Sequence, residues 1–310
     1  MRGGASLFAV LAGVLAATAH PASAHPARSG MLYADGATGS EDWSEPRVVT
    51  ECRGSVSVYN TSEPRYDLYL PDADKASGAA VLMLPGGGLR VLGRGTGEDA
   101  EVEEFLRHGV AVMVLEYRTR QQPAGSINTE CRPPDPDAPP VRFPSMKIVN
   151  GNANPAPGDA TNMRVLDLAT QDAQAAFAML HAEAASLNID PDRIGVIGTS
   201  AGGGVAFGAM LDDAAPAETK PDFFISIFGP SLQDVHVPDP APPMFLVTEA
   251  DHGPVTDGLL SVFSIWKAAD QKVELHVYEV PNFSMTVHLW GPRLFDWMVE
   301  RGILEGNRDQ

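Results

Sequence analysis

The sequence predicts an α/β fold, a mostly parallel central sheet with helices on both faces, carried by one domain. Three observations predict it. Continuous apolar runs such as "AAVLMLP" (Ala79 to Pro85), "VAVMVLEYR" (Val110 to Arg118) and "RIGVIGT" (Arg193 to Thr199) have the length of buried strands and no polar alternation. Stretches with helical spacing stand between such runs. Glycine clusters follow two of the runs, at positions 86–88 and 202–204, as expected where a buried strand turns sharply.

Taken in order, residues 1–24 read as a secretory signal peptide. Arg2 supplies the charged start, Leu7 to Ala17 the apolar segment, and Ala22 to Ala24 a small-residue cleavage site. The mature chain would begin near His25 and be secreted or periplasmic. "RVVTECRGSVSVYN" and "RYDLYLP" read as two strands, paired as a hairpin at the sheet edge. "EDAEVEEFLRHG" is a helix, acidic in its first turn and stopped by Gly109. Residues 119–161 are irregular and proline-rich, an insertion of the length found in lids, binding loops or disordered linkers. We read it as a substrate-facing lid tethered by Cys131; disorder is the alternative.

Regular pattern resumes at Asn162, where Val165, Ala169, Ala173, Ala176, Leu180, Ala184 and Leu187 recur at helical spacing. Strands "DFFISIFGP", "PPMFLVTEAD" and "KVELHVYEV" follow. They alternate with helices "SAGGGVAFGAML", "LLSVFSIWKAAD" and "LWGPRLFDWMVERGIL". The domain thus spans residues 25–310.

The formal charge of −18 argues against nucleic acid or an anionic membrane as partner. After the leader no apolar stretch is long enough to span a bilayer, and no Cys/His spacing indicates a metal site. Cys52 and Cys131 fit a single disulfide in an oxidising compartment; two separate buried thiols are the alternative. Asn60 and Asn282 each begin a glycosylation acceptor triplet, which matters in a eukaryotic source.

Gly198-Thr199-Ser200-Ala201-Gly202 stands between a strand and a small-residue helix, the setting of a nucleophile elbow. An ordinary glycine-rich turn or a dinucleotide loop is the bland alternative. The second loop, "LPGGGLR" (Leu84 to Arg90), argues for the elbow. Its glycines leave backbone N–H groups open toward a developing negative charge, with Gly87, Gly88 and Ala201 as the oxyanion donors.

These two loops, together with "PPMFLVTEADHGPV" and "KVELHVYE" in the same order, resemble secreted α/β-hydrolases of the acetylxylan esterase and hemicellulose deacetylase kind. The resemblance covers roughly Tyr66 to Gly302, apart from the insertion. It implies an α/β-hydrolase fold, no cofactor, and the chain order serine, acid, histidine. Asp251 falls where the family's acid sits, and Glu249 and His252 beside it read as solvated loop residues. In the family a "GGH" loop follows the strand matching "ELHVYE"; here "VPNFS" puts Phe283 at the histidine. His276 lies mid-strand and faces a helix, and His252 needs an awkward reversal to reach the serine. His288, read as the end of the final loop, is therefore the candidate base.

The expected function is a secreted serine carboxylesterase, Ser200–Asp251–His288, acting on acetyl or similar short acyl esters, with acylated carbohydrate as a candidate substrate. A binding protein that has lost its base is one alternative. A serine peptidase is another, although the additional large domain usual in such peptidases has no counterpart here. Oligomeric state is left open.

Overall fold

The computed structural model describes residues 24–131, 145–280 and 285–305. The signal-peptide expectation, apart from Ala24, lies outside the described residues, as do Asn282 and Phe283. The strands are β1 (Arg28–Met31), β2 (Val48–Cys52), β3 (Ser55–Tyr59), β4 (Arg65–Tyr69), β5 (Ala80–Leu84), β6 (Val91–Gly95), β7 (Ala111–Glu116), β8 (Ile194–Thr199), β9 (Phe224–Ile227), β10 (Met244–Glu249) and β11 (Val273–Tyr278). The helices are α1 (Thr96–Arg107), α2 (Ala160–Leu187), α3 (Ala201–Leu211), α4 (Pro254–Ala268) and α5 (Val287–Glu300).

Eight strands form the central sheet in the order β1-β4-β7-β5-β8-β9-β10-β11. From β7 to β11 every pairing is parallel, while β4 runs antiparallel to both β7 and β1. Leu82 in β5 lies opposite Met113 on one side and Val196 on the other. Strand residues alternate between two cores. Leu82, Leu84, Met113 and Leu246 pack on the face covered by α2, α3 and α4. Val81, Met83, Val112 and Phe245 pack on the other, under Phe105 of α1 and Trp290, Leu294 and Met298 of α5. Because both faces are covered, β5, β7 and β10 are buried at every position, which explains why they are apolar apart from Glu116, Thr248 and Glu249 at the ends of β7 and β10.

Two expectations are corrected near the N-terminus. "RVVTECRGSVSVYN" is itself a hairpin, β2–β3, turned at Arg53 and Gly54 with φ of 54° and 81°. Two consecutive left-handed residues make the turn that suits strand twist, so a tight reversal falls inside what reads as one strand. This hairpin does not pair with β4. It joins β6 in a separate three-stranded antiparallel sheet. Both β1 and β6 are strands the sequence pattern did not reveal, being short and rich in polar residues or glycine.

The cysteines are bonded: Cys52, at the end of β2, bridges to Cys131 in the insertion with Cα atoms 5.1 Å apart. α2 starts two residues before the expected Asn162, because the Asp159 side chain caps it by accepting from the Thr161 and Asn162 amides. At the centre of this half, Arg118 is buried after β7 and forks onto Asp172 of α2 at 2.7–3.0 Å, and the Tyr33 hydroxyl also donates to Asp172. No helix among the described residues is long and apolar enough to cross a membrane.

Candidate active site

Ser200 joins β8 to α3 with φ 51° and ψ −123°, a conformation an L-residue holds only under constraint. The constraint is backbone packing. The Ser200 amide donates to the Ile227 carbonyl at 3.1 Å, and its carbonyl accepts from the Gly203 amide at 2.9 Å. α3 presses against the end of β5 so closely that a Cβ on Gly202 would stand 2.0 Å from the Leu84 carbonyl oxygen. Only glycine fits there, which is the physical reason for the small-residue run after the serine.

The "PGGG" loop lies against this elbow. A Cβ on Gly86 would be 3.0 Å from the Ser200 Cβ. The Tyr117 hydroxyl donates to the Pro85 carbonyl at 2.6 Å, and the Gly93 amide to the Gly86 carbonyl at 3.0 Å. Farther along, the Arg120 amide holds the Leu89 carbonyl at 2.7 Å. Gly87 has φ 139°, and a Cβ there would collide with the Val91 carbonyl. Among the described residues the Gly87 and Gly88 amides donate to no protein acceptor. The Ala201 amide, at the first position of α3, has no acceptor within its own helix. Ser200 Oγ likewise makes no hydrogen bond among the described residues.

A cavity of about 230 Å³ opens at Ser200, Gly88 and Ala201 and is walled by Leu89, Leu166 and Val255. The C-terminal part of the insertion completes it with Met146, Ala153 and Asn154. That part is tied down by the Ala153 amide on Ser231 O, by Asn154 Nδ2 on Leu232 O and by the Gly151 amide on Ser261 Oγ. This C-terminal part of the insertion is thus tied wall rather than free linker, its polar groups taken up by the loop after β9 and by α4.

The acid–base side differs from expectation. Glu249 and His252 are not solvated: both are almost fully buried, with His252 Nδ1 3.6 Å from Glu249 Oε2 and its ring against Phe228. Parallel pairing continues to the last residue of β10, which draws Glu249 under the loop, and His252 turns in just before α4. Burial holds the His252 imidazole below its ordinary pKa, although Glu249 pulls the other way. Asp251, between them, is exposed. His288 is not in a loop. It is the second residue of α5 and exposed, because Val287 and Trp290 take the inward positions of that turn. His276 does face a helix, bonding Glu274 at 2.7 Å beside Arg293 of α5.

The Asn60 glycosylation expectation also fails. Its amide is fully buried, donating to Pro46 O and Gln122 O while Oδ1 accepts from the Gln122 amide. A glycan on that nitrogen would displace these bonds, so the folded chain has no room for one there.

Sheet order, the strained serine between β8 and α3, and the adjoining amide loop together define the α/β-hydrolase fold. Residues 164–242 match a family model described as the alpha/beta hydrolase fold. No curated protein matches the chain in sequence. Among solved structures, it is similar to an acetyl ester-xyloside bifunctional hydrolase from Caldicellulosiruptor lactoaceticus, at 18% identity and TM-score 0.53 over 78% of this chain and 89% of that one. A thermophilic esterase, Est2, from the planctomycete Thermogutta terrifontis is 16% identical with TM-score 0.57, over 86% and 95% of the two chains.

Proposed function

We propose that the protein is an exported serine esterase that hydrolyses short acyl esters. Ser200 Oγ attacks the ester carbonyl, the Gly87, Gly88 and Ala201 amides receive the oxyanion, and the apolar cavity holds the acyl group. The observation that carries this is the juxtaposition of a strained serine with unoccupied amides at the mouth of one small cavity. A cavity below the ~300 Å³ of ordinary ligand pockets favours acetyl-sized groups. Both structural relatives named above are described as hydrolases of this general kind. Export rests on the leader pattern of residues 1–24 and the Cys52–Cys131 bridge.

In this proposal His288 accepts the serine proton and Asp251 orients it. Both face solvent and neither lines the Ser200 cavity, so turnover should fall well below that of a preorganised triad, with residual catalysis from the oxyanion donors. The same exposure favours a second reading, a binding protein that keeps the cavity without efficient chemistry.

One experiment separates them. Turnover of p-nitrophenyl acetate by purified protein is measured beside stoichiometric labelling of Ser200 by paraoxon, which phosphorylates the Thermogutta terrifontis esterase. Turnover with labelling at Ser200 supports the esterase. Neither turnover nor labelling leaves the binding protein.

A further inference from the structure

In a peptide unit the C=O of one residue is coplanar with the N–H of the next, so whatever holds a carbonyl also aims an amide. Gly86 O accepts from the Gly93 amide at 3.0 Å, which aims the Gly87 N–H. Gly87 O accepts from the Arg90 and Val91 amides at 3.1 and 3.2 Å, which aims the Gly88 N–H. Ser200 O accepts from the Gly203 amide at 2.9 Å and so aims the Ala201 N–H. For the "PGGG" loop these donors lie in the loop itself and in β6, the strand it runs into. Close packing of Gly86 on Thr199 and Ser200 stops the loop moving inward. Only an attractive contact stops it moving out.

Such contacts come from one segment, residues 117–122, which leaves β7. The Tyr117 hydroxyl donates to Pro85 O at 2.6 Å, ahead of the glycines. Beyond them, the Arg120 amide donates to Leu89 O at 2.7 Å and Gln122 Nε2 to Arg90 O at 2.8 Å. Tyr117 is fully buried in the core, so its ring has one place to be. Burial also pushes its pKa up, which keeps the hydroxyl a protonated donor.

The segment is itself pinned along its length. Arg118 is locked to Asp172 of α2 through both its amide and its guanidinium. The Thr119 amide donates to Thr61 O at 3.1 Å, and its hydroxyl accepts from the Thr61 amide at 3.1 Å. Asn60 grips Gln122 at both backbone groups, at 2.8 and 2.9 Å. The buried Asn60 amide thus fixes the residue whose side chain reaches Arg90.

We propose that Tyr117 and Gln122 are positioning residues of the Ser200 centre, tying the amide loop to a frame set by α2 and the turn after β3. The Gly87 and Gly88 N–H groups are thereby kept in place beside Ser200. Neither side chain lines the Ser200 cavity, so each acts through the loop and not on the substrate. The proposal rests on the esterase reading of Ser200.

The test compares wild type, Tyr117→Phe, which removes one oxygen, and Gln122→Ala. Each is assayed well below its melting temperature on p-nitrophenyl acetate and on p-nitrophenyl thionoacetate, in which sulfur replaces the carbonyl oxygen. Expected for Tyr117→Phe is a loss of about tenfold or more in kcat on the acetate, with KM within about twofold of wild type. Gln122→Ala should lose less. Aligned amides favour a developing oxygen anion over the larger, more weakly accepting sulfur, so the oxo-to-thiono ratio should fall in both variants. An unchanged kcat in both variants overturns the proposal, and so does an equal loss on the two substrates, which marks general loosening. If Tyr117→Phe does not fold, Gln122→Ala decides, since its bond lies at the surface. If wild type turns over neither ester, the esterase reading falls, and hydrogen exchange over residues 85–91 judges the anchoring alone. Faster exchange there in the variants sustains it; exchange equal to wild type overturns it.

Discussion

The two sides of the candidate site are built differently. On the serine side, Ser200, Gly86, Gly87 and Gly202 are placed by backbone contact: carbonyl to amide, glycine to carbonyl, with no side-chain freedom left. On the opposite side, at the ends of β10 and β11, position depends on which side chains turn inward. There Glu249 and His252 are buried together, while Asp251 and His288 face water. Donors fixed by backbone need no reorganisation when charge develops. A side chain on an exposed first turn has no such fixed place. The contrast teaches that backbone packing holds the strained serine and the open amides, whereas the directions of the acidic and histidine side chains near the end of β10 and the start of α5 depend on which of them the core takes in.

The largest expected effect tests the serine side. Ser200→Ala should remove ester turnover by several orders of magnitude and leave the melting temperature nearly unchanged, since the side chain makes no hydrogen bond to lose. Equal turnover by variant and parent breaks the comparison outright.

Next comes the other side. His288→Ala should reduce ester turnover at neutral pH by about tenfold or more. If turnover matches wild type, the base is not His288. His252→Ala then sharpens the question, because the buried pair with Glu249 keeps the order serine, acid, histidine along the chain.

A third prediction asks whether the serine side is as rigid as its contacts imply. Gly202→Ala drives a Cβ into the Leu84 and Pro85 carbonyls, at 2.0 and 2.7 Å. It should cost about 1–3 kcal/mol or more in denaturant unfolding. An unchanged midpoint would mean that α3 shifts freely and the elbow is less constrained than described.

Cys52→Ser with Cys131→Ser removes a bridge spanning 79 residues. It should cost about 2–4 kcal/mol and raise protease cleavage first in residues 119–131. Val149 to Ala153 should hold, being pinned to the loop after β9.

The smallest effects concern pH, and two buried regions should respond in opposite directions. In α1, burial pushes the Glu98 carboxyl up to about 7 despite Arg94, and Glu101 up to about 8. The folded state therefore keeps these protons longer than the unfolded chain. Stability from them is full below the ordinary carboxylate pKa of about 4.3 and is lost as pH rises through 7 to 8. His252 behaves in reverse: its folded pKa is depressed by burial, so its contribution is full above about 6.5 and is lost as pH falls through the lowered value. Melting curves should show Glu101→Gln flattening the alkaline loss and His252→Phe flattening the acid loss. A Glu101→Gln curve parallel to wild type above neutral pH would remove the carboxylate half of this prediction.

Features that depend on local pattern are legible in the chain before it folds. The buried strands β5, β7, β8 and β10 are legible because a parallel sheet covered on both faces demands unbroken apolar residues. The elbow and amide loop are legible because close backbone approach demands glycine, wherever the rest of the chain goes. Cys52 and Cys131 could be paired because there were only two.

Tertiary structure decided everything that rests on direction or long-range neighbours. One-dimensional pattern does not say that Arg53 and Gly54 fold one apparent strand into a hairpin of a second sheet. Nor does it say that Asn60 is sealed beneath Gln122, more than sixty residues later. Asp251 and Glu249 are two residues apart on a strand end, and only packing chooses which faces the interior. His288 could be placed near the last helix by sequence, but the inward turn of Val287 and Trp290 sets its exposure. One surface cavity beside the first turns of α2 brings together Trp43, Gln121 and Arg164 from three distant segments, and no spacing rule connects them. Side-chain direction is a property of the packed core, and the core forms only in three dimensions.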